Sequence, residues 1–363
     1  MRHLTKTLGL LTKSFVFPPS PCTRLGSRLA HANAILAVPT LARTMATSTP
    51  PSPSPILKKP IKLACVQLAS GPDKAANLSH ARDKVLEAAQ AGANLVVLPE
   101  CFNSPYGCDY FPSYAEALLP SPPSREQSPS FHALSAMAAE AKVYLVGGSI
   151  PEAEGGEEEG KEKKKKKKYY NTSLTFGPDG ALLASHRKVH LFDIDIPGKI
   201  TFRESDVLSP GNKLTLVDLP GYGCIAVAIC YDVRFPELAM IAARRGCFAL
   251  IYPGAFNLTT GPLHWRLQGQ ARAMDNQCYV ALCSPARDMG ASYHAWGHSL
   301  IVDPMAQVVV EAEESETIVS WELDGAKIEE TRKGIPIYSQ RRFDVYPDVS
   351  ESKVQFDEPE VPK

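Results

Sequence analysis

Short apolar runs alternate with amphipathic segments along most of this chain, and that alternation narrows the folds open to it. IKLACVQL (61–68), NLVVLPE (94–100), VYLVGGSI (143–150), GCIAVAIC (223–230), FALIYP (248–253) and YVALCSP (279–285) are too short for typical helices and too apolar for loops. They read as buried strands. Between them, Leu78, Ala81, Val85, Leu86 and Ala89 recur at helical spacing over 74–91, stopping at Gly92. Further helices are predicted over 131–142, from Pro236 to Arg245, and over about 264–276. NTSLTF and ALLASHRK flank Gly177-Pro178-Asp179-Gly180, a hairpin signature. HSLIVDP, QVVVEAE and TIVSWEL read as a closing β-meander. Strands within and helices outside make a layered α/β architecture.

Four stretches fall outside this pattern. The first 72 residues lack Asp and Glu, and residues 1–45 carry scattered Arg and Lys among Ser, Thr and Leu. That is the composition of a mitochondrial presequence. Met45-Ala46 offers a second start, which would give a cytoplasmic form. ATSTPPSPSPILKKP (46–60) reads as a Pro/Ser linker with too little apolar content to fold, so the folded body is expected from Ile61. EAEGGEEEGKEKKKKKK (152–168) reads as a solvated charged loop, and 347–363 as a tail. The chain carries equal numbers of acids and bases, which points to neither nucleic acid nor an acidic membrane surface. No apolar run approaches the roughly 20 residues of a membrane span. Nine cysteines, an odd number without a Cys-x-x-Cys pair, argue for a reducing compartment over a disulfide framework or structural zinc.

Four polar residues follow apolar runs or sit in adjoining loops. Glu100 follows VVLP, Lys188 ends ALLASHRK, Glu204 lies in TFRES, and Cys230 ends GCIAVAIC. Singly, each has an ordinary explanation: a turn acid, a basic patch, a loop charge, a small core residue. Together they suit acyl transfer. A carboxylate can take the thiol proton, and an ammonium can stabilise the oxyanion formed at an amide or nitrile carbon. A lysine between two glutamates stays charged. His186, His190, His264, His294 and His298 show no metal-ligand spacing, so neither metal nor cofactor is expected.

LPECF around Glu100, SHRKVHLF around Lys188 and AICYDVRFPEL around Cys230 resemble, in order and spacing, the Glu-Lys-Cys motifs of the nitrilase (carbon–nitrogen hydrolase) superfamily. The resemblance runs from about Lys62 to Tyr346. PECFNSPYG, FDIDIPGKITFRES, YPGAFNLTTGP and SPARDMGASYHAWGHS are similar to its omega-amidase branch. It implies a four-layer α-β-β-α sandwich that pairs into an αββα-αββα homodimer, with IPIYSQRRFDVY (335–346) crossing to the partner or packing on its own subunit. It implies Cys230 as nucleophile on a strand-to-helix turn, Glu100 as base, Lys188 and the Tyr231 N–H as oxyanion donors, and Glu204 orienting Lys188. Arg234 is expected to bind a substrate carboxylate, the alternative being a salt bridge to Asp232 or Glu237. Phe256, Thr260 and Tyr106 are expected pocket walls. The implied reaction hydrolyses the terminal amide of 2-oxoglutaramate or 2-oxosuccinamate to 2-oxoglutarate or oxaloacetate plus ammonia. Two other readings stand beside it: an amidase of deaminated glutathione, and a non-catalytic scaffold. An activated Cys230 is expected to label ahead of the other eight cysteines. Arg266 departs from the family, placing a base where His-Trp-Glu is usual.

Overall fold

The structure is a computed structural model that describes residues 56–119, 121–155 and 167–343. The presequence-like segment, Met45, most of the linker, the centre of the charged insertion and the tail lie outside the described residues.

The chain opens with β1 (Ile61–Gln67), α1 (Lys74–Gln90), β2 (Leu95–Val97), α2 (Phe111–Tyr114), α3 (Pro129–Ala141), β3 (Tyr144–Val146) and β4 (Ile150–Glu154). After the insertion come β5 (Lys168–Phe176), β6 (Leu182–Arg187), β7 (Asp193–Ile196), β8 (Ile200–Arg203), β9 (Thr215–Leu219) and β10 (Gly223–Val227). The remainder is α4 (Pro236–Arg244), β11 (Cys247–Pro253), α5 (Gly261–Asn276), β12 (Tyr279–Cys283), β13 (Leu300–Val302), β14 (Val308–Glu311), β15 (Thr317–Leu323), α6 (Gly325–Gly334) and α7 (Ile337–Gln340).

Two sheets form. The first runs β15-β1-β2-β3-β5-β4, with β6 on the free edge of β5; the second runs β14-β13-β12-β11-β10-β9. Residue alternation along the strands sets the layers. Leu63, Cys65, Ile225, Val227, Ala249 and Ile251 point into one core between the sheets. Their neighbours Ala64 and Val66 pack under α1 and α3, and Ala226, Leu250 and Tyr252 pack under α4 and α5. The result is the expected α-β-β-α sandwich.

The structure corrects the sequence reading at four places. Leu57 is buried in the central core and Lys58 N donates to Tyr222 O at 2.8 Å, so the folded body starts before Ile61. VYLVGGSI is two strands: the chain breaks at Gly147-Gly148, and β3 and β4 occupy successive stretches of one edge of β5. Glu152–Glu154, expected in the charged loop, belong to β4. The closing meander is divided between sheets. β14 stays beside β13, while β15 pairs antiparallel with β1, Ile61 opposite Leu323. Gln67 Nε2 draws the chain across by donating to Glu313 O and Ser315 O, both at 2.6 Å. The hairpin β7-β8 and strand β9 carry no clear apolar run and were not expected.

The described part of the C-terminal segment packs on its own chain. Gln277 Nε2 donates to Ile335 O at 2.5 Å, Tyr338 OH to Ala243 O at 3.3 Å, and the Arg332 guanidinium lies 4.0 Å over the Tyr338 ring. Residues 344–346 lie outside the described residues.

Candidate active site

Glu100, Lys188, Glu204 and Cys230 come from four separate segments and meet in one buried cluster. Glu100 follows β2, Lys188 follows β6, Glu204 opens the turn after β8, and Cys230 opens the 3-10 turn after β10. Lys188, 1% exposed, donates to Glu100 Oε1 at 2.9 Å and to Glu204 Oε1 at 2.8 Å. The Cys230 thiol, 3% exposed, stands within hydrogen-bond reach of the Glu100 carboxylate.

Each carboxylate is tied down at both oxygens. Glu100 Oε1 also accepts from Asn171 Nδ2 at 2.8 Å, and its Oε2 accepts from Ala255 N at 2.8 Å. Glu204 Oε1 accepts from Tyr106 OH at 2.9 Å, and its Oε2 from Phe192 N at 2.7 Å. Burial pushes the Glu100 carboxyl above its ordinary value; Lys188 opposes this and Glu204 adds to it. Burial pulls the Lys188 ammonium down, but the charges of Glu100 and Glu204 outweigh it and hold it well above its usual range. Burial, then the Glu100 charge, push the Cys230 thiol well above its ordinary value, against Lys188. At rest the site therefore holds a neutral thiol beside a carboxylate and an ammonium. A carboxylate with a raised pKa is the better base for taking a proton from such a thiol.

Local backbone explains how the sulfur comes to lie there. Cys230 adopts φ +47°, a left-handed conformation that costs a non-glycine residue about 1–2 kcal/mol and turns the chain sharply out of β10. The Tyr231 N–H follows at once in the 3-10 turn, before α4 starts on Pro236 in its first turn. Gly254, immediately after β11, makes room: a Cβ there would sit 3.1 Å from Cys230 Cα and from the Trp265 ring. Glu100 is supported in a similar way. Cys101 has φ +52° and its N–H donates to Ser149 Oγ at 3.0 Å, while Gly148 passes so close that a Cβ would lie 2.0 Å from Pro99 O.

The expected substrate-side residues divide by role. Arg234 finds no carboxylate among the described residues; neither Asp232 nor Glu237 pairs with it. Its guanidinium lies 4.6 Å over Phe256 and 5.4 Å over Tyr231, its Nη1 contacts His264 Nδ1 at 3.1 Å, and its buried Nε has no partner. Burial, then the Arg234 charge, lower the His264 pKa, which suits an imidazole accepting from arginine. Phe256 is buried against Trp265. Thr260 is buried with its Oγ1 3.3 Å from Asn257 Oδ1, at the start of α5. Tyr106 is more than a wall, because its hydroxyl holds Glu204, and its ring sits 4.5 Å from that of Tyr293. Beside Glu100 and Tyr106 a cavity of about 290 Å³ opens between Ser104, Tyr110, Asp288 and Tyr293.

Sequence reasoning missed several contributors. Asn171 lies inside β5 without a local signal. The backbone donors Phe192 and Ala255 cannot be read from residue type. Asp232 and its two histidines were visible beside the motifs but carried no family role. For thiol labelling the structure sets out the competing groups: Cys230 is buried and its thiol pKa is raised by burial, whereas half-buried Cys224 has its pKa lowered by a hydrogen bond with Cys247, 3.6 Å away. Arg266 is exposed and pairs with Glu311 Oε2 at 2.8 Å, so its charge is answered outside the site.

Comparison with known proteins bears on the family and the fold. The sequence pattern of the carbon-nitrogen hydrolase family matches residues 62–333. The chain is 53% identical to Omega-amidase NIT3 of Saccharomyces cerevisiae over 302 residues, which are 82% of this chain and 99% of that protein. It is 53% identical to Omega-amidase NIT2 of Mus musculus over 285 residues, 78% of this chain and 96% of that one. The crystal structure of Saccharomyces cerevisiae Nit3, a member of branch 10 of the nitrilase superfamily, superposes with a TM-score of 0.70 at 50% identity, covering 80% of this chain and all of that one. With sandwich, buried cluster and sequence all in agreement, the chain belongs to the carbon-nitrogen hydrolase family.

Proposed function

We propose that this chain is an omega-amidase that hydrolyses the terminal amide of 2-oxoglutaramate and 2-oxosuccinamate, releasing ammonia and 2-oxoglutarate or oxaloacetate. The supporting observation is the buried Lys188 ammonium shared by Glu100 and Glu204, with the Cys230 thiol in reach of Glu100. The thiol proton passes to Glu100 as sulfur attacks the amide carbon. Lys188 and the Tyr231 N–H stabilise the oxyanion. Glu100 returns the proton to the departing ammonia, leaving a Cys230 thioester. Water, deprotonated by Glu100, then releases the acid and restores the thiol. Glu204 and Tyr106 hold Lys188 in place.

Arg234 meets the substrate's distal carboxylate, since its guanidinium is half-buried and has no acidic partner. Phe256 and Thr260 do not line the cavity beside Glu100; their proposed place is on the Arg234 side of the substrate, where the guanidinium lies over Phe256. A second reading, hydrolysis of deaminated glutathione, requires a longer pocket for a tripeptide-like chain. Ammonia release from purified protein given a panel of ω-amides, including both keto-acid amides and deaminated glutathione, tests the assignment. The short keto-acid amides are expected to turn over fastest, and Cys230→Ala to be silent. Equal turnover by Cys230→Ala would mean that another residue, or a contaminant, does the chemistry.

A homodimer is part of the proposal. Leu263, Leu267 and Met274 are exposed along one face of α5, beside the His264 that contacts Arg234. Residues 1–45 are proposed to direct a mitochondrial form and Met45 to start a cytoplasmic one. No helix among the described residues is long and apolar enough to cross a membrane.

A further inference from the structure

Asp232 is fully buried two residues after Cys230, and it binds the segment around Lys188 from both sides. Its Oδ1 accepts from His190 N and from His190 Nδ1, each at 2.8 Å. Its Oδ2 accepts from His186 Nε2 at 3.2 Å and from Ile229 N at 3.0 Å, with Val189 N at 3.5 Å. Residues 186, 189 and 190 straddle Lys188, while Ile229 immediately precedes Cys230. One carboxylate thus links the backbone that carries the ammonium to the backbone that carries the sulfur. The link is braced outward: His186 Nδ1 meets Thr215 Oγ1 of β9 at 3.0 Å, and the His190 ring stacks on Phe235 at 3.5 Å. Lys188 N donates to Asn171 O, and Lys188 O accepts from Gly211 N, both at 2.8 Å.

We propose that Asp232 is a positioning residue that holds the Lys188 ammonium in register with the Cys230 sulfur, acting through His186, His190 and the Ile229 N–H. A carboxylate suits the place because only donors converge on it, and a carboxylate accepts without donating. An amide there would turn an NH2 toward at least two N–H donors whichever way it lay. The ammonium is useful only where the oxyanion forms, and small displacements of such donors cost much of their effect. This inference rests on the reading of Cys230 as nucleophile and Lys188 as oxyanion donor.

The test uses the full chain and ammonia release from 2-oxoglutaramate, comparing wild type, Asp232→Asn, Lys188→Ala, the Asp232→Asn/Lys188→Ala double variant and Cys230→Ala, with unfolding midpoints for each. Asp232→Asn is expected to lower kcat at least 30-fold while KM, governed by Arg234, stays within about threefold. In the double variant Asp232→Asn should cost less than threefold beyond Lys188→Ala, because its effect passes through the ammonium. A full additional 30-fold loss, or a kcat near wild type in Asp232→Asn, overturns the proposal. Should Asp232→Asn fail to fold, His190 carries the test. His190→Asn keeps a neutral N–H near the Nδ1 position and is expected to recover at least tenfold of the kcat that His190→Ala loses. Equal loss in the two overturns the proposal as well. Cys230→Ala separates the failures: if it is silent and wild type active, the underlying reading stands whatever Asp232 does.

Discussion

At the level of single residues, burial pushes the thiol and the neighbouring Glu100 carboxyl in the same direction and the ammonium in the other. Cys230 has its pKa raised, Glu100 has its pKa raised, and Lys188 stays charged because two carboxylates outweigh its desolvation. With Glu100 as the proposed base, its protonation should lower kcat/KM as pH drops, with a midpoint above the ordinary glutamate value of 4.5. A midpoint at or below that value would mean that another group controls the acid limb. Asp232 does not compete for this role: buried among histidine donors, it has its pKa lowered, so its charge persists through that range and disappears only in stronger acid. Lys188→Ala should reduce turnover at least a hundredfold, about 2.7 kcal/mol of transition-state stabilisation. Alkylation of the native protein, mapped by peptide analysis, should mark Cys224 before Cys230 among the described cysteines. Cys108 is also half-buried, but burial and nearby acids push its thiol up to about 11.

Among the elements, the breaks hold the site residues in place as much as the strands do. Gly148 runs against Pro99 O with φ +59°, so it supports the very turn that presents Glu100. Gly148→Ala adds overpacking to left-handed strain and should cost roughly 2–5 kcal/mol in a denaturant titration, with loss of turnover per folded molecule. An unchanged unfolding midpoint would mean that the turn yields easily. The same break shows where sequence reading succeeds and fails. Apolar runs such as IKLACVQL and FALIYP declared themselves because both faces of their sheets are covered, one by helices and one by the opposite sheet. VYLVGGSI looked continuous because apolar β3 is followed, after only Gly147, Gly148 and Ser149, by Ile150, the apolar first residue of β4. β15 was legible as a strand, but its neighbour was not: pairing with β1 depends on Gln67 catching the chain 246 residues later. Glu100, Lys188, Glu204 and Cys230 each had an ordinary explanation singly and were legible only as a chemically coherent set, within motifs resembling a known family in order and spacing. Asn171 and the amides of Phe192 and Ala255 were not, since their value lies in position alone.

In the whole molecule, the sandwich brings Glu100 from one sheet to Cys230 of the other, and helix α5 sets His264 against Arg234 while leaving apolar side chains exposed. If that face joins two copies, Leu263→Asp with Leu267→Asp should halve the mass seen by light scattering and weaken turnover through the adjoining His264–Arg234 contact. A dimer that survives both changes places the interface elsewhere. Truncation at Gly334 tests something different, because residues 335–343 are bonded to α4, α5 and α6 of their own chain. It should lower the unfolding midpoint whatever the assembly.

The crossing of β15 to β1 also has a consequence for the order of events during synthesis. A ribosome delivers β1 first and its edge partner more than 250 residues later, when most of the polypeptide has already emerged. Until then the first sheet has one raw border along β1, and the sheet that carries Glu100 lacks its final brace. Partial chains released before β15 would leave β1 uncovered and prone to stick, so this architecture ties hydrolytic competence to molecules translated through residue 323.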